Sequence, residues 1–188
     1  MNDFGCLKSV DDIINLYNEY GSTDYIGEDI SQTEHAIQGA LLAKEEGYDD
    51  ETVVAILLHD IGHLIGMKYQ LEQMDTLGAL FHERIGSEFL RHIGMSEKVC
   101  ELIKSHVDAK RYLVSVDEEY YEKLSESSKG TLVYQGGKMN EEEIKIFENN
   151  QMKETILKMR TWDDKAKVKD MKLPDFTYFK EIIEKLIF

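Results

Sequence analysis

The run from Val53 to His63 reads Val-Val-Ala-Ile-Leu-Leu-His-Asp-Ile-Gly-His. It constrains the fold more than any other stretch of the chain. A segment this apolar belongs inside a protein. His59 and Asp60 are adjacent polar groups within it, and burying such a pair is costly unless something compensates them. A metal ion is the usual compensation. His35 lies upstream, His82 and His106 lie downstream, and Trp162-Asp163-Asp164 supplies further carboxylate late in the chain. This inventory of imidazole and carboxylate is enough to hold two metal ions.

Composition narrows the remaining options. A chain of 188 residues suits one domain, spanning 1–188, with a sizeable core. A net charge of −15 makes it a poor general binder of nucleic acid or of an anionic membrane. An anionic substrate would need a local positive centre, built from metal ions and a few lysines and arginines. Cys6 and Cys100 are too few for a disulfide framework and lack metal-ligand spacing, so Cys100 is expected as a buried free thiol. The N-terminus has no basic region followed by a long apolar stretch, so no signal peptide is read. No run approaches the ~18 apolar residues of a membrane span. A reducing cytoplasm is the default location.

Helix signals recur and no segment sustains a period of two, so the chain reads as all-α. Val10, Ile13, Ile14 and Tyr17 share a helical face over 10–20. Ser31 with Glu34 forms a capping box for a helix that Gly47 ends. Asp50 can cap the next helix, whose apolar face is Val53, Val54, Leu57, Leu58 and Ile61. Phe81, Ile85 and Phe89 mark a third, stopped near Gly94. Ser96 can cap a fourth, carrying Val99, Leu102, Ile103 and His106. A helix is expected near 117–126, another after Asn140, and one through Met152, Ile156 and Met159 toward Trp162. Asp175 can open a terminal helix through Phe179, Ile182, Ile183 and Leu186. Loops are expected near 21–30, 66–80 and 127–139, with a turn at Tyr134-Gln135-Gly136-Gly137.

The candidate metal residues are therefore His35, His59, Asp60, His82, His106 and Asp163, gathered from several helices into a dinuclear cage. A carboxylate such as Asp60 can bridge two ions through its two oxygens. Imidazole and carboxylate suit iron, manganese or zinc, and the absence of thiolates argues against a structural zinc site. Two carboxylates against two such ions leave a net positive centre, suited to an anionic oxygen donor such as a phosphate or phosphonate. His92 reads as an ordinary surface residue. His63 follows His59 by one turn and points to the same side. Arg160 shares a helical face with Asp163.

The order of these histidines and aspartates resembles the HD-domain superfamily, helical proteins built around one or two metals, most of them phosphohydrolases. Further stretches resemble a narrower group, the PhnZ-type 2-amino-1-hydroxyethylphosphonate dioxygenases. These are Tyr25-Ile26-Gly27-Glu28, Gln32-Thr33-Glu34-His35, His59 to His63, His106 to Ser115, Ser128 to Gly137, and Arg160-Thr161-Trp162-Asp163. The resemblance implies a compact HD-domain bundle around a mixed-valent Fe(II)/Fe(III) pair, with O2 as co-substrate. By position, His35, His59, Asp60, His82, His106 and Asp163 match the iron ligands, Asp60 as the bridge. His63, Lys110, Ser128, Thr131 and Arg160 match the phosphonate-binding residues. Tyr25 and Glu28 match a catalytic gate, in which the tyrosine holds an iron position until substrate arrives and the glutamate meets the substrate's ammonium. The implied reaction is oxidative cleavage of the C–P bond of (R)-2-amino-1-hydroxyethylphosphonate to glycine and phosphate. A 2-oxoglutarate-dependent hydroxylase is the implied upstream partner. The N-trimethylated analogue, giving glycine betaine, is an alternative substrate, and Tyr69 is too weak a signal to decide for it. A metal-dependent HD phosphohydrolase and a non-enzymatic nucleotide-binding HD domain are the other readings.

Overall fold

The computed structural model describes residues 7–25 and 27–188. Cys6 and Ile26 lie outside them, as does most of the segment read for a signal peptide. Among the described residues the chain is helical, with isolated bridges in place of strands. The helices are α1 (Val10–Tyr20), α2 (Gln32–Glu45), α3 (Asp50–Leu58), α4 (Ile61–Tyr69), α5 (His82–His92), α6 (Glu97–Val116), α7 (Glu118–Lys123), α8 (Glu126–Tyr134), α9 (Glu141–Glu148), α10 (Lys153–Lys165) and α11 (Lys180–Glu184). A 3-10 turn, Phe176–Phe179, leads into α11. Among the described residues, no helix is long and apolar enough to cross a membrane.

Local chemistry sets most of these boundaries. The Ser31 hydroxyl accepts from the Glu34 amide, and the Glu34 carboxylate accepts from the Ser31 amide, so α2 starts with two of its orphan donors satisfied. Asn140 and Glu143 do the same for α9. Gly47 follows α2 at φ +79°. The cap of α3 is Asp49, whose carboxylate accepts from the Thr52 amide, rather than the Asp50 expected from sequence.

The larger departure lies at the His-Asp pair. A single helix was expected to run from residue 50 through Ile61. The chain breaks instead at His59 and Asp60, with Asp60 at φ −100°, ψ 9°. Apolar spacing alone cannot reveal this break, because both sides of it are apolar and buried. It has two effects. α3 lies buried against α2, α6 and α10, and α4 departs on a new axis against α1 and α5.

Two expected loops are also partly helical. α4 continues to Tyr69, inside the 66–80 segment, and α8 occupies most of 127–139. The helix near 117–126 is shorter, α7, and breaks at Leu124 before Ser125 caps α8. The terminal helix is a 3-10 turn plus the short α11, not one helix to Leu186. Cys100 is a buried free thiol, and His92 lies at the exposed end of α5.

Gly62 governs how closely α4 meets α5. A Cβ there would lie 2.0 Å from the His82 carbonyl oxygen. Only glycine allows the approach that brings Asp60, His63 and His82 together. Gly62→Ala should cost about 3 kcal/mol through overpacking and lower the unfolding midpoint by about 5–10 °C in a calorimetric scan. An unchanged midpoint would show that α4 and α5 can separate freely.

Candidate metal centre and adjoining pocket

α2 supplies His35, the α3–α4 break supplies His59 and Asp60, α5 supplies His82, α6 supplies His106, and α10 supplies Asp163. All six side chains are buried or nearly so. They fall into two groups. In the first, the His35 and His59 Nε2 atoms are 3.3 Å apart, and Asp163 Oδ1 lies 3.3 Å from His35 Nε2. In the second, the His82 and His106 Nε2 atoms are 3.1 Å apart, with Asp60 Oδ1 3.4 Å and 3.6 Å from them. Asp60 Oδ2 turns the other way, 3.3 Å from His59 Nε2. One carboxylate therefore faces both groups.

Backbone hydrogen bonds sort the histidines by role. The Nδ1 atoms of His35, His59 and His106 face the carbonyl oxygens of Ala166, Ile56 and Ile103 at 2.8, 2.7 and 2.6 Å. A carbonyl only accepts, so each Nδ1 carries the proton, and in the neutral ring each Nε2 is left with a lone pair. Lone pairs converging at these distances ask for a shared cation. His63 is the opposite case. Its Nδ1 accepts from the Ala79 amide at 2.9 Å, which puts the proton on Nε2 and makes that atom a donor. Nearness alone would group His63 with Asp60 and His82 as a metal triad. Its hydrogen bonding makes it a donor to an anion instead. The donor set thus fits two metal ions held by His35, His59 and Asp163, and by His82, His106 and Asp60, with Asp60 between them.

Protonation tells the same story. Burial favours a neutral Asp60, but the imidazoles of His59, His63 and His82 outweigh it and hold the carboxyl well below its usual range. Burial likewise opposes the charge on Asp163, and Arg160 with His35 and His59 overcomes it. Burial would lower His59, yet Asp60 and then Asp163 push it up to about 9. A proton there substitutes for a cation and must leave when a metal enters. His106 is pushed down to about 4 by burial and by His59.

A pocket of about 50 Å³ adjoins the centre. Its walls bring together Tyr25, Glu28, His63, Lys110, Ser128, Thr131 and Arg160 beside Asp60, His82, His106 and Asp163. Every residue matched to a ligand contact from the sequence is therefore present there; Tyr69 is not. Lys110 Nζ donates to Thr131 Oγ1 at 2.8 Å. Burial and then Arg160 push its ammonium down to about 7. The first turn of α8, with Ser125, Ser127 and Ser128, opens on the same space and adds helix-terminal positive potential. Arg160 Nη1 donates to Asp163 Oδ2 at 2.6 Å, its Nη2 donates to Asp164, and its Nε donates to the Tyr120 hydroxyl at 2.8 Å. Those bonds leave a hydrogen on each terminal nitrogen for a ligand.

Tyr25 stacks on the His35 ring with centroids 3.7 Å apart, and its hydroxyl donates to Asp163 Oδ1 at 3.3 Å. Burial, Asp163 and Asp60 all raise that hydroxyl well above its ordinary range, so without a strong cation it stays a phenol. Gly27, at φ +72°, lets this loop lie against α8, where a Cβ would meet Ser127 Oγ at 2.3 Å.

Sequence reading missed several participants. Lys167 lines the pocket and pairs with Glu28 at 2.8 Å. Gln135 lines it too, and its Oε1 is buried without a hydrogen-bond partner among the described residues. Tyr120 and Asp164 hold Arg160, and the Ala166 carbonyl orients His35. Asp-Asp-Lys-Ala-Lys at 163–167 has the look of a solvated charge run, so no local signal marked Lys167. Spacing to Arg160 could have marked Asp164, which lies four residues on along the helix.

The HD-domain family matches the chain over residues 32–135, the stretch that carries His35 through Gln135. The chain belongs to the HD-domain family. It is 38% identical over 177 residues to the uncharacterized protein L432 of Acanthamoeba polyphaga mimivirus, covering 94% of this chain and 81% of that protein. Two relatives named for an activity are phosphonate dioxygenases. One is the (1-hydroxy-2-(trimethylamino)ethyl)phosphonate dioxygenase (glycine-betaine-forming) of Leisingera caerulea, 35% identical over 172 residues, covering 92% of this chain and 87% of that one. The other is the hydroxymethylphosphonate dioxygenase of Gimesia maris, 37% identical over 177 residues, covering 94% and 87%.

Metal analysis by mass spectrometry separates the roles. Wild type should bind about two ions per chain and Asp60→Ala close to none, His106→Ala should lose one, and His63→Ala should keep both. Loss of metal in His63→Ala would refute the tautomer argument. Lys110 gives a pH signature. Its charge is full well below pH 7 and lost above it, so anion affinity should fall as pH rises. Between pH 6 and 8, inorganic phosphate should lose up to about tenfold more affinity in wild type than in Lys110→Met. Parallel titrations of the two proteins would remove Lys110 from the site.

Proposed function

We propose that this protein is a diiron oxygenase that cleaves the C–P bond of a small 1-hydroxyphosphonate with O2. The supporting observation is one carboxylate shared by two histidine groups, opening on a pocket whose free donors, the His63 Nε2 proton and the Lys110 ammonium, suit a phosphonate. The substrate R–CH(OH)–PO3H2 plus O2 balances as R–COOH plus H3PO4. Both oxygen atoms are consumed and no external reductant is required. The named relatives, both phosphonate dioxygenases, agree with this reading.

Bound iron would supply O2 activation and a chelating surface for the hydroxyl and phosphonate oxygens. The chain's own residues bind and orient. Lys110, Arg160 and the His63 Nε2 proton meet phosphonate oxygens, with Ser128 and Thr131 completing the ring of donors. Arg160 also holds Asp163 in register through its 2.6 Å bond. The Tyr25 hydroxyl borders the first metal group and must move or lose its proton as the ligand set changes, which makes it a gate. On the family resemblance alone, (R)-2-amino-1-hydroxyethylphosphonate would be the substrate, with glycine as product and Glu28 as the acceptor for its ammonium. The trimethylated analogue is less favoured. Tyr25 is the one Phe, Tyr or Trp among the described lining residues, and a quaternary ammonium is best held by several aromatic faces. Because the substrate carries a hydroxyl on the carbon next to phosphorus, a hydroxylase, 2-oxoglutarate-dependent in the resemblance, has to act upstream.

Iron-loaded protein should release phosphate from a 1-hydroxyphosphonate in air, with about one O2 consumed per phosphate, and none under argon. Phosphate released from nucleotides under argon would identify a phosphohydrolase instead.

A further inference from the structure

We infer that Lys167 is a resident cation that fills the ammonium position beside Glu28, so that this pocket selects 1-hydroxyphosphonates without a charged amine. The inference rests on the oxygenase reading and narrows it to a substrate class.

Glu28 is the carboxylate that would attract a substrate ammonium. In this structure its Oε1 already accepts from Lys167 Nζ at 2.8 Å, with both side chains largely shielded from water. One carboxylate carries one charge. Once Lys167 has neutralised it, a second ammonium finds no net attraction and is repelled by the first. Glu28 and Lys167 both line the pocket, so the pair stands in the substrate's space.

Lys167 is not a loose surface side chain that chance has brought to Glu28. Its backbone is clamped on both sides. The Ala166 carbonyl accepts from His35 Nδ1 at 2.8 Å. The Gln38 amide makes two bonds to Val168, accepting from its N–H and donating to its carbonyl, each at 2.9 Å. Residues 166–168 are thus tied to α2, the helix that presents His35. Nζ also lies 5.9 Å from the centre of the Tyr25 ring. The lysine therefore links the end of α10 to both gate residues, and displacing it would disturb Tyr25 as well as Glu28. For the smallest such substrate, with R as hydrogen, the balanced products are formate and phosphate.

The test compares hydroxymethylphosphonate with (R)-2-amino-1-hydroxyethylphosphonate on wild type, Lys167→Met and Lys167→Arg, each iron-loaded. Binding is read by calorimetry under argon, and phosphate release is read separately in air. Wild type should bind the hydroxymethyl compound about tenfold or more tighter than the amino compound. Lys167→Met should reverse that order by tightening the amino compound, and Lys167→Arg should keep the wild-type order. Iron content and a melt control for folding, and Lys167→Gln replaces the methionine variant if that one fails them. Wild type that prefers the amino compound, or a preference unmoved by removing the charge, overturns the assignment. No phosphate release in air with the binding order intact would overturn the oxygenase reading and leave the role of Lys167 standing.

Discussion

The two oxygens of Asp60 are the constraint on which the rest of the structure depends. One faces His59 and the other faces His82 and His106. Asp60 sits where a buried helix stops, between His59 beside it and His82 and His106 on α5 and α6. The break after Leu58, the glycine at 62 and the seating of α5 together hold it there. The cost is an interrupted helix in the most apolar part of the chain. It is offset by burying α3 from Thr52 to Leu58 and by keeping α4 against α1 and α5.

Charge in the pocket is arranged in pairs rather than spread. Arg160 is tied to Asp163 and Asp164, Lys167 to Glu28, and Asp60 and Asp163 to the imidazoles. Lys110 stands apart, donating to the Thr131 hydroxyl. It is buried, and its charge is the easiest to lose. An anion arriving near Lys110 restores that charge at the moment it binds. A chain of strongly negative total charge thereby gains a local attraction for anions without a broad basic surface.

Much of this was legible in the sequence, and the reasons are specific. His59 and Asp60 announced themselves because polar groups in an aliphatic run need a cause. Ser31 with Glu34, and Asn140 with Glu143, marked helix starts through a two-way hydrogen bond that depends only on residue type and spacing. The helix break did not show, since apolar spacing continues across it. α8 was hidden because Ser-Ser-Lys-Gly at 127–130 is polar and weakly amphipathic, and its helix is held by the Ser125 cap and by packing that no periodicity reveals. Lys167 was hidden for another reason. Its meaning comes from Glu28, distant in sequence, and long-range ion pairs leave no local trace.

The three carbonyl-backed histidines have one further consequence. Donating Nδ1–H to a carbonyl makes the opposite nitrogen a stronger electron donor. His35 and His59 both have this support, as does His106, whereas the buried His82 Nδ1 has no hydrogen-bond partner among the described residues. The two halves of the centre are therefore electronically unequal before any ion arrives. Two ions of the same element but different charge would sort themselves by this inequality. The more highly charged one would be held by His35, His59 and Asp163, whose imidazoles are both backed by carbonyls, and the more electron-rich one by His82, His106 and Asp60.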